Sequence, residues 1–278
     1  MNPHPSTILR SLEQRARKRF GQNFLCDERA VAHIADLSGA APGVKVLEIG
    51  PGLGALTRVL SARRCELTAV ELDRDLADFL EKRFARHDNV AIHQQDILKF
   101  DLAALINRSS KLRIIGNLPY NISTPVMFHL LQNAELIEDM TFMLQLEVVQ
   151  RLGAKPGNKN YGRLGIMVQY FCEVEHLFNV PSAAFTPKPK VSSAIVRLTP
   201  HARREVEARS VEALQTVVRT AFNLRRKTLK NSLKAIMSAE TLAQVPVSLS
   251  ERPENLSLSD YVAISDLFAQ ELNQSHHD

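Results

Sequence analysis

Val44-Lys45-Val46-Leu47-Glu48-Ile49-Gly50-Pro51-Gly52-Leu53-Gly54 is the stretch whose reading decides the fold. Val44–Ile49 is a short apolar strand, and Leu56, Val59 and Leu60 beyond it take up helical spacing. A glycine-rich turn therefore joins a strand to a helix. Such a turn lets backbone N–H groups approach a ligand closely at a helix N-terminus. Working outward, the strand Glu66–Val70 ends at Glu71. That is close to the ~20-residue spacing at which a carboxylate meets ribose hydroxyls in nucleotide-binding βαβ units. A third strand, Val90–His93, ends near Asp96, and a fourth, Leu112–Gly116, runs into Asn117-Leu118-Pro119-Tyr120.

Helices are expected between these strands. Asp27 is a good N-cap for Glu28–Leu37 and Asp73 for Arg74–Ala85, and Leu102–Asn107 follows the third strand. Ser123 is expected to cap Ser123–Gln132, with Pro125 in its first turn. Strand Met140–Leu146 leads into helix Glu147–Leu152, then an exposed polar loop over Gly153–Gly162. Leu164–Cys172 reads as helix, and Glu173–Val180 and Val191–Leu198 as strands that set an antiparallel edge on a parallel sheet. Between them, the prolines of Phe185-Thr186-Pro187-Lys188-Pro189-Lys190 enforce extended backbone and hold Phe185 outside the sheet. From Val211 to Met237 and over Ser257–Leu272 the pattern is helical. The expected fold is a doubly wound, Rossmann-like α/β sheet with a small all-helical C-terminal domain. Its organisation is a basic arm at 1–20, a catalytic domain at 21–200 and a helical accessory domain at 201–278.

Composition narrows the function. The 278 residues carry a formal net charge of +5. Basic residues cluster at Arg10, Arg15, Arg17, Lys18 and Arg19, and again at Arg219, Arg225, Arg226, Lys227, Lys230 and Lys234. Two such runs flanking a cofactor domain point to a polyanion. Three distant cysteines and nine scattered histidines show neither a disulfide framework nor metal spacing, so no metal is expected. No apolar run reaches the ~18 residues that span a bilayer. The N-terminus is polar and basic, so a cytoplasmic address and no membrane partner are expected.

Taken alone, Asn117-Leu118-Pro119-Tyr120 is good turn chemistry. Its neighbours change its meaning. A glycine turn, two acids and this tetrapeptide all fall at carboxyl ends of strands, the edge where open α/β sheets bind ligands. Together they describe an adenosine-containing cofactor beside a reactive pocket. Gly50-Pro51-Gly52-Leu53-Gly54 is G-x-G-x-G rather than the dinucleotide fingerprint G-x-G-x-x-G, which argues against NAD. The phosphate-loop pattern of ATP enzymes is missing.

Glu48–Gly54 resembles the first motif of S-adenosylmethionine-dependent methyltransferases, and Asn117–Tyr120 is similar to the motif of enzymes that methylate exocyclic amines. Four longer strings resemble one family, the KsgA-type small-subunit ribosomal RNA adenine dimethyltransferases. They are Phe20–Leu25, Asn117–Thr124, Phe185–Val191 and Phe222–Leu233. The resemblance implies that Asn23 and Leu25 close over S-adenosylmethionine, that Gly50 meets its amino-acid part, and that Glu71 holds the ribose and Asp96 the adenine amine. It places Asn117 at the junction with the target and implies that Tyr120 and Phe185 sandwich a flipped adenine. Asn117 and the Leu118 carbonyl would accept the two amine N–H groups, with Pro119 stiffening the turn. Arg17, Lys18, Arg19, Arg225, Arg226, Lys227 and Lys230 would meet RNA phosphates. The implied partner is 16S rRNA in the immature small (30S) subunit, with the enzyme a monomer and its product two adjacent dimethyladenosines. Two departures stand out: Leu146 where the family commonly has Lys, and Cys26 where Asn or Asp is expected. The competing readings are a large-subunit adenine methyltransferase of the antibiotic-resistance type and a non-catalytic ribosome-assembly or transcription factor on the same fold.

Overall fold

The computed structural model describes residues 23–106, 110–118, 122–224 and 227–275. The chain divides into two units. The first is Met1–Val149 with Glu173–Pro200, and the second is Gln150–Cys172 with His201–Asp278. The expected boundary at 200 puts 150–172 in the first domain; by its contacts this segment groups with the helical unit.

The first unit is built on a seven-stranded mixed sheet. Its strands are β2 (Lys45–Ile49), β3 (Glu66–Glu71), β4 (Val90–Gln94), β5 (Leu112–Asn117), β6 (Ile137–Gln145), β7 (Cys172–Val180) and β9 (Ser193–Pro200), in the spatial order β4-β3-β2-β5-β6-β9-β7. The order reverses between β2 and β5, which makes the carboxyl ends of those two parallel strands the topological switch point. There Ile49 pairs with Val70 on one side and Gly116 on the other. The strands from β4 through β6 are parallel, and β9 lies antiparallel to β6, pairing Met140 with Leu198 and Gln145 with Ser193. Continuous apolar runs suit strands covered on both faces, and Leu47, Ile114, Ile115 and Phe142 are each almost fully buried.

The helices follow the caps. Asp27 accepts from the amides of Arg29 and Ala30 at the start of α1 (Glu28–Leu37), and Asp73 from those of Asp75 and Leu76 at the start of α3 (Arg74–Phe84). Between them α2 (Ala55–Ala62) starts at Gly54, whose φ of 76° is left-handed and needs no side chain. Ion pairs Arg58–Glu28 and Arg63–Asp36 tie α2 to α1.

Three expectations are corrected. Leu102–Asn107 is not a helix: only Ala103–Leu105 forms a short 3₁₀ turn, and Asn107 lies outside the described residues. Ser123 is the first residue of α4 (Ser123–Leu131), not its cap, because the Val126 amide closes the first turn onto the Ile122 carbonyl. Phe185 is not in a loop: Phe185–Thr186 forms β8, which pairs antiparallel with β1 (Phe24–Leu25) in a small second sheet.

The second unit contains α6 (Arg163–Phe171), α7 (Val211–Asn223), α8 (Leu229–Leu233), α9 (Ala239–Ala243) and α10 (Leu258–Ser275), while α5 (Leu146–Leu152) carries the chain into it. The Val211–Met237 helical pattern is thus interrupted after Asn223. Tyr161 and Tyr261 flank Phe222, with ring centroids 6.4 and 6.1 Å from it. Both tyrosines are almost fully buried. Gly165 of α6 is in close contact with α5: a Cβ there would lie 2.4 Å from the Arg151 carbonyl oxygen. Among the described residues no helix is long and apolar enough to cross a membrane, and no group of acids, histidines or cysteines is arranged to hold a metal.

Candidate active site

A cleft opens at the switch point. It is lined by Asn23, Phe24 and Leu25 of the N-terminal segment, Glu48 and the turn from Gly50 to Leu53, Ala55 and Leu56 at the start of α2, Glu71, Asn117 and Leu118. Glu48, the glycine turn, Glu71, Asn117 and Leu118 come from the carboxyl ends of β2, β3 and β5 or the connections beyond them, where open α/β sheets bind ligands.

The turn is shaped by backbone geometry. Gly50, Gly52 and Gly54 all have positive φ, at 67°, 58° and 76°. A Cβ on Gly52 would press on the Phe24 ring at 3.2 Å, so the turn and β1 are fitted to each other. The Gly50 amide donates to the Val70 carbonyl at 3.0 Å, and the Arg83 guanidinium donates to the Leu53 carbonyl at 3.0 Å, pinning both ends.

Glu71 is buried at 4% exposure, and both of its oxygens accept from backbone amides: Gly52 at 3.1 Å and Asp73 at 3.0 Å. Burial raises its pKa above the ordinary carboxylate value, and those amides draw it back down. The carboxylate therefore locks the glycine turn to the end of β3, and Glu71 also lines the cleft.

Asn117 closes β5. Its side-chain amide nitrogen donates to the Asn23 carbonyl at 3.1 Å. This bond fixes which way the amide faces and turns Oδ1 away from that carbonyl. The next residue, Leu118, is buried and lines the same cleft.

Of the sequence-derived cofactor residues, Asn23, Leu25, Gly50, Glu71 and Asn117 line one cleft. Asp96 is not among its lining residues. Its carboxylate accepts from the Leu98 amide at 3.0 Å and starts the 3₁₀ turn Ile97–Lys99, which is turn chemistry. Phe185 is 4% exposed and packs in the hydrophobic cluster with Leu25, Val31 and Ala184. A stacking role needs an accessible ring face, and in this conformation that ring belongs to the core. Pro119 and Tyr120, Arg17, Lys18 and Arg19, and Arg225 and Arg226 lie outside the described residues. Lys227 and Lys230 are exposed in the helical unit. Sequence reasoning passed over Glu48 and Phe24 as site residues. The available signal for Glu48 was an acid inside an otherwise apolar strand, where a cap or turn role is excluded.

Comparison with known proteins agrees over most of the chain. Residues 13–270 match the family model described as ribosomal RNA adenine dimethylase. The chain is 52% identical over 258 residues to ribosomal RNA small subunit methyltransferase A of Pseudomonas aeruginosa, covering 93% of this chain and 96% of that protein. It is 53% identical to the protein of the same name from Marinobacter nauticus, covering 91% and 92%. Among solved structures, the 23S rRNA methyltransferase ErmE aligns with a TM-score of 0.65 at 27% identity, over 89% of this chain and all of that one. A dimethyladenosine transferase from Plasmodium falciparum shares the fold, with a TM-score of 0.72 at 24% identity over 91% and 98% of the two chains.

Proposed function

This chain belongs to the ribosomal RNA adenine dimethylase family, and on that premise we propose that it transfers methyl groups from S-adenosyl-L-methionine to N6 of two adjacent adenosines near the 3′ end of 16S rRNA in the immature small subunit. It is a methyltransferase of ribosomal RNA adenine.

One observation carries the reading. The cleft beside Asn117 contains two buried carboxyl groups, Glu48 and Glu71, and no lysine or arginine lines it among the described residues. Such a site repels phosphate and favours a cationic adenosine cofactor. S-Adenosylmethionine carries two positive groups, the sulfonium and the α-ammonium, and supplies an electrophilic methyl when bound. The buried Glu48 oxygen that has no partner in this structure fits a ligand of that kind.

The chain's own task is to make a poor nucleophile attack. The N6 lone pair of adenine is delocalised into the ring. Asn117 Oδ1 and the Leu118 carbonyl are proposed to accept its two N–H groups, which favours a pyramidal nitrogen with its lone pair aimed at the methyl. Holding that geometry is worth up to ~7–11 kcal/mol in favourable cases. The Asn117 amide is pre-oriented by the Asn23 carbonyl, so little is lost in ordering it on binding. No strong base is needed, because methylation makes the nitrogen acidic and its proton passes to water. Tyr120 is proposed to stack on the extruded base. Lys227 and Lys230, with Arg17, Lys18, Arg19, Arg225 and Arg226, are proposed to contact phosphates and to make binding steeply salt-dependent.

The test uses purified protein, S-adenosylmethionine and small subunits that lack the modification. Mass spectrometry of the 16S rRNA should find two adjacent dimethyladenosines. Asn117→Ala should lower the rate by about 100-fold or more, in line with loss of an oriented acceptor, while the protein still binds the subunit. Methylation of 23S rRNA instead, or a wild-type rate for Asn117→Ala, would sink the assignment.

A further inference from the structure

The glycine turn does not hold its own shape. Gly50, Gly52 and Gly54 all sit at positive φ, and glycine accepts either sign, so the conformation is set by what surrounds the turn. Its first half is held from β3, where Glu71 accepts from the Gly52 amide. Its second half faces α3. A Cβ on Gly54 would lie 2.8 Å from the Leu80 side chain and 3.1 Å from the Phe84 ring, so α3 packs directly on the peptide that begins α2. Arg83 shares that face of α3, and its guanidinium donates to the Leu53 carbonyl at 3.0 Å. At the other end of the same peptide, the Gly54 amide donates to the Pro51 carbonyl at 2.9 Å. The Leu53–Gly54 peptide plane is thus fixed by one bond within the turn and one from outside it.

Arg83 occupies this position at a cost. Its guanidinium carbon lies 5.8 Å from the Phe79 ring centroid and 5.7 Å from that of Phe84, and the side chain is partly buried. Burial, followed by the charge of Arg58 on α2, lowers its pKa, and Glu28 on α1 opposes this. A cation near the cleft also repels a cationic ligand. What Arg83 supplies is geometry. Without its bond the peptide is freer to flip, a motion that changes ψ of Leu53 and φ of Gly54 and that glycine permits. Leu53 and the first residues of α2, Ala55 and Leu56, line the cleft on either side of that peptide.

Resting on the cofactor reading above, we propose that Arg83 is a positioning residue for the cofactor: by holding the Leu53 carbonyl it selects the orientation of the Leu53–Gly54 peptide that shapes the cleft for S-adenosylmethionine. Arg83 is not among the residues that line the cleft, so it acts through the turn. The apparent affinity for the cofactor then scales with the fraction of protein in that orientation. Bound cofactor restores the orientation, so methyl transfer at saturation is preserved.

The test compares Arg83→Met, which keeps an apolar stem but has no donor, with Arg83→Lys, which keeps one. Binding of S-adenosylmethionine and S-adenosylhomocysteine is measured by titration calorimetry, and methyl transfer with unmodified small subunits. In Arg83→Met the affinity for both probes should fall ~10-fold, the scale of a lost hydrogen bond to a charged group. KM for S-adenosylmethionine should rise in step while kcat stays at the wild-type value. Arg83→Lys should recover most of the affinity. The Gly54 amide resonance of unliganded Arg83→Met should be exchange-broadened and should sharpen on saturation with S-adenosylhomocysteine. If Arg83→Met does not fold, Arg83→Gln replaces it in the same comparison. The assignment is overturned if the variant keeps wild-type affinity, or if kcat falls with KM unchanged, as loss of folded protein would give. It is equally overturned if S-adenosylmethionine binds more tightly, the sign of a removed charge and nothing more. If wild-type protein binds neither probe, the cofactor reading itself fails and this inference with it.

Discussion

Glu71 and Glu48 meet the same burial problem in different ways, and the difference can be read in stability. Glu71 is held by two amides and so anchors the turn. Glu48 is kept near neutral by its surroundings, with a pKa raised from 4.5 to about 7. For an acid whose folded value lies above its unfolded value, the unfolded chain ionises first as pH rises. The folded state is then progressively disfavoured from pH 4.5 to about 7, and the penalty is constant above that. At ~1.4 kcal/mol per pH unit the full penalty is on the order of 3 kcal/mol. Glu48→Gln removes it, so the unliganded variant should exceed wild type in urea denaturation at pH 8 and differ little at pH 5. An equal gain at both pH values would show that the carboxyl is not the cause. At this scale strand ends and turn chemistry in the sequence single out Asn23, Leu25, Gly50, Glu71 and Asn117; all five line one cleft, and their roles toward a cofactor are part of the proposal. The sequence was silent on Glu48, since partner satisfaction is a three-dimensional property. Nor did it show the burial of Phe185, because the pairing of β1 with β8 that buries the ring joins segments about 160 residues apart, beyond the reach of local pattern.

At the scale of elements, caps and periodicity made most helices legible: Asp27 and Asp73 each cap where local chemistry says they must. The failures came where a segment was too short to show a period, as at Leu102–Asn107, or where the first helical turn closed one residue early, as at Ser123. Strand packing was less visible. Gly116 on β5 shows why: a Cβ there would stand 2.7 Å from the Ile49 carbonyl oxygen and 3.2 Å from the Leu118 side chain. Its backbone is in the ordinary strand region, so no turn signal marks it, yet β2 and β5 depend on its missing side chain to meet at the switch point. Gly116→Ala must push these strands apart or strain them. Overpacking of this kind costs ~1–3 kcal/mol, and it should appear as a lower urea midpoint. Because the displaced strand carries Asn117, methyl transfer should fall further than the loss of folded protein explains. A variant with wild-type stability would show that the two strands do not need this close approach.

At the scale of the molecule, the helical unit is discontinuous, and that has a consequence a single boundary at 200 does not foresee. Composition favours such a boundary, because strands end at Pro200 and helices follow. The contacts instead bring Gln150–Cys172 into the unit with His201–Asp278. The reason is packing. Tyr161 is 1% exposed and faces Phe222 of α7, whose other neighbour is the fully buried Tyr261 of α10. Tyr170 of α6 accepts from the Ala208 amide at 3.2 Å and stacks under the Arg204 guanidinium with Phe171. A fragment starting at 201 loses Tyr161, Tyr170 and Phe171 together and exposes the aromatic and aliphatic surface they cover. Removing one large buried aromatic costs ~3–5 kcal/mol, comparable to the whole stability of a small domain. A 201–278 fragment should therefore show little cooperative thermal unfolding by circular dichroism. Joining residues 150–172 to it through a flexible linker should restore a cooperative transition, because the same side chains then return to the same core. Cooperative folding of 201–278 alone would mean that the segment from 150 to 172 decorates this unit rather than completing it.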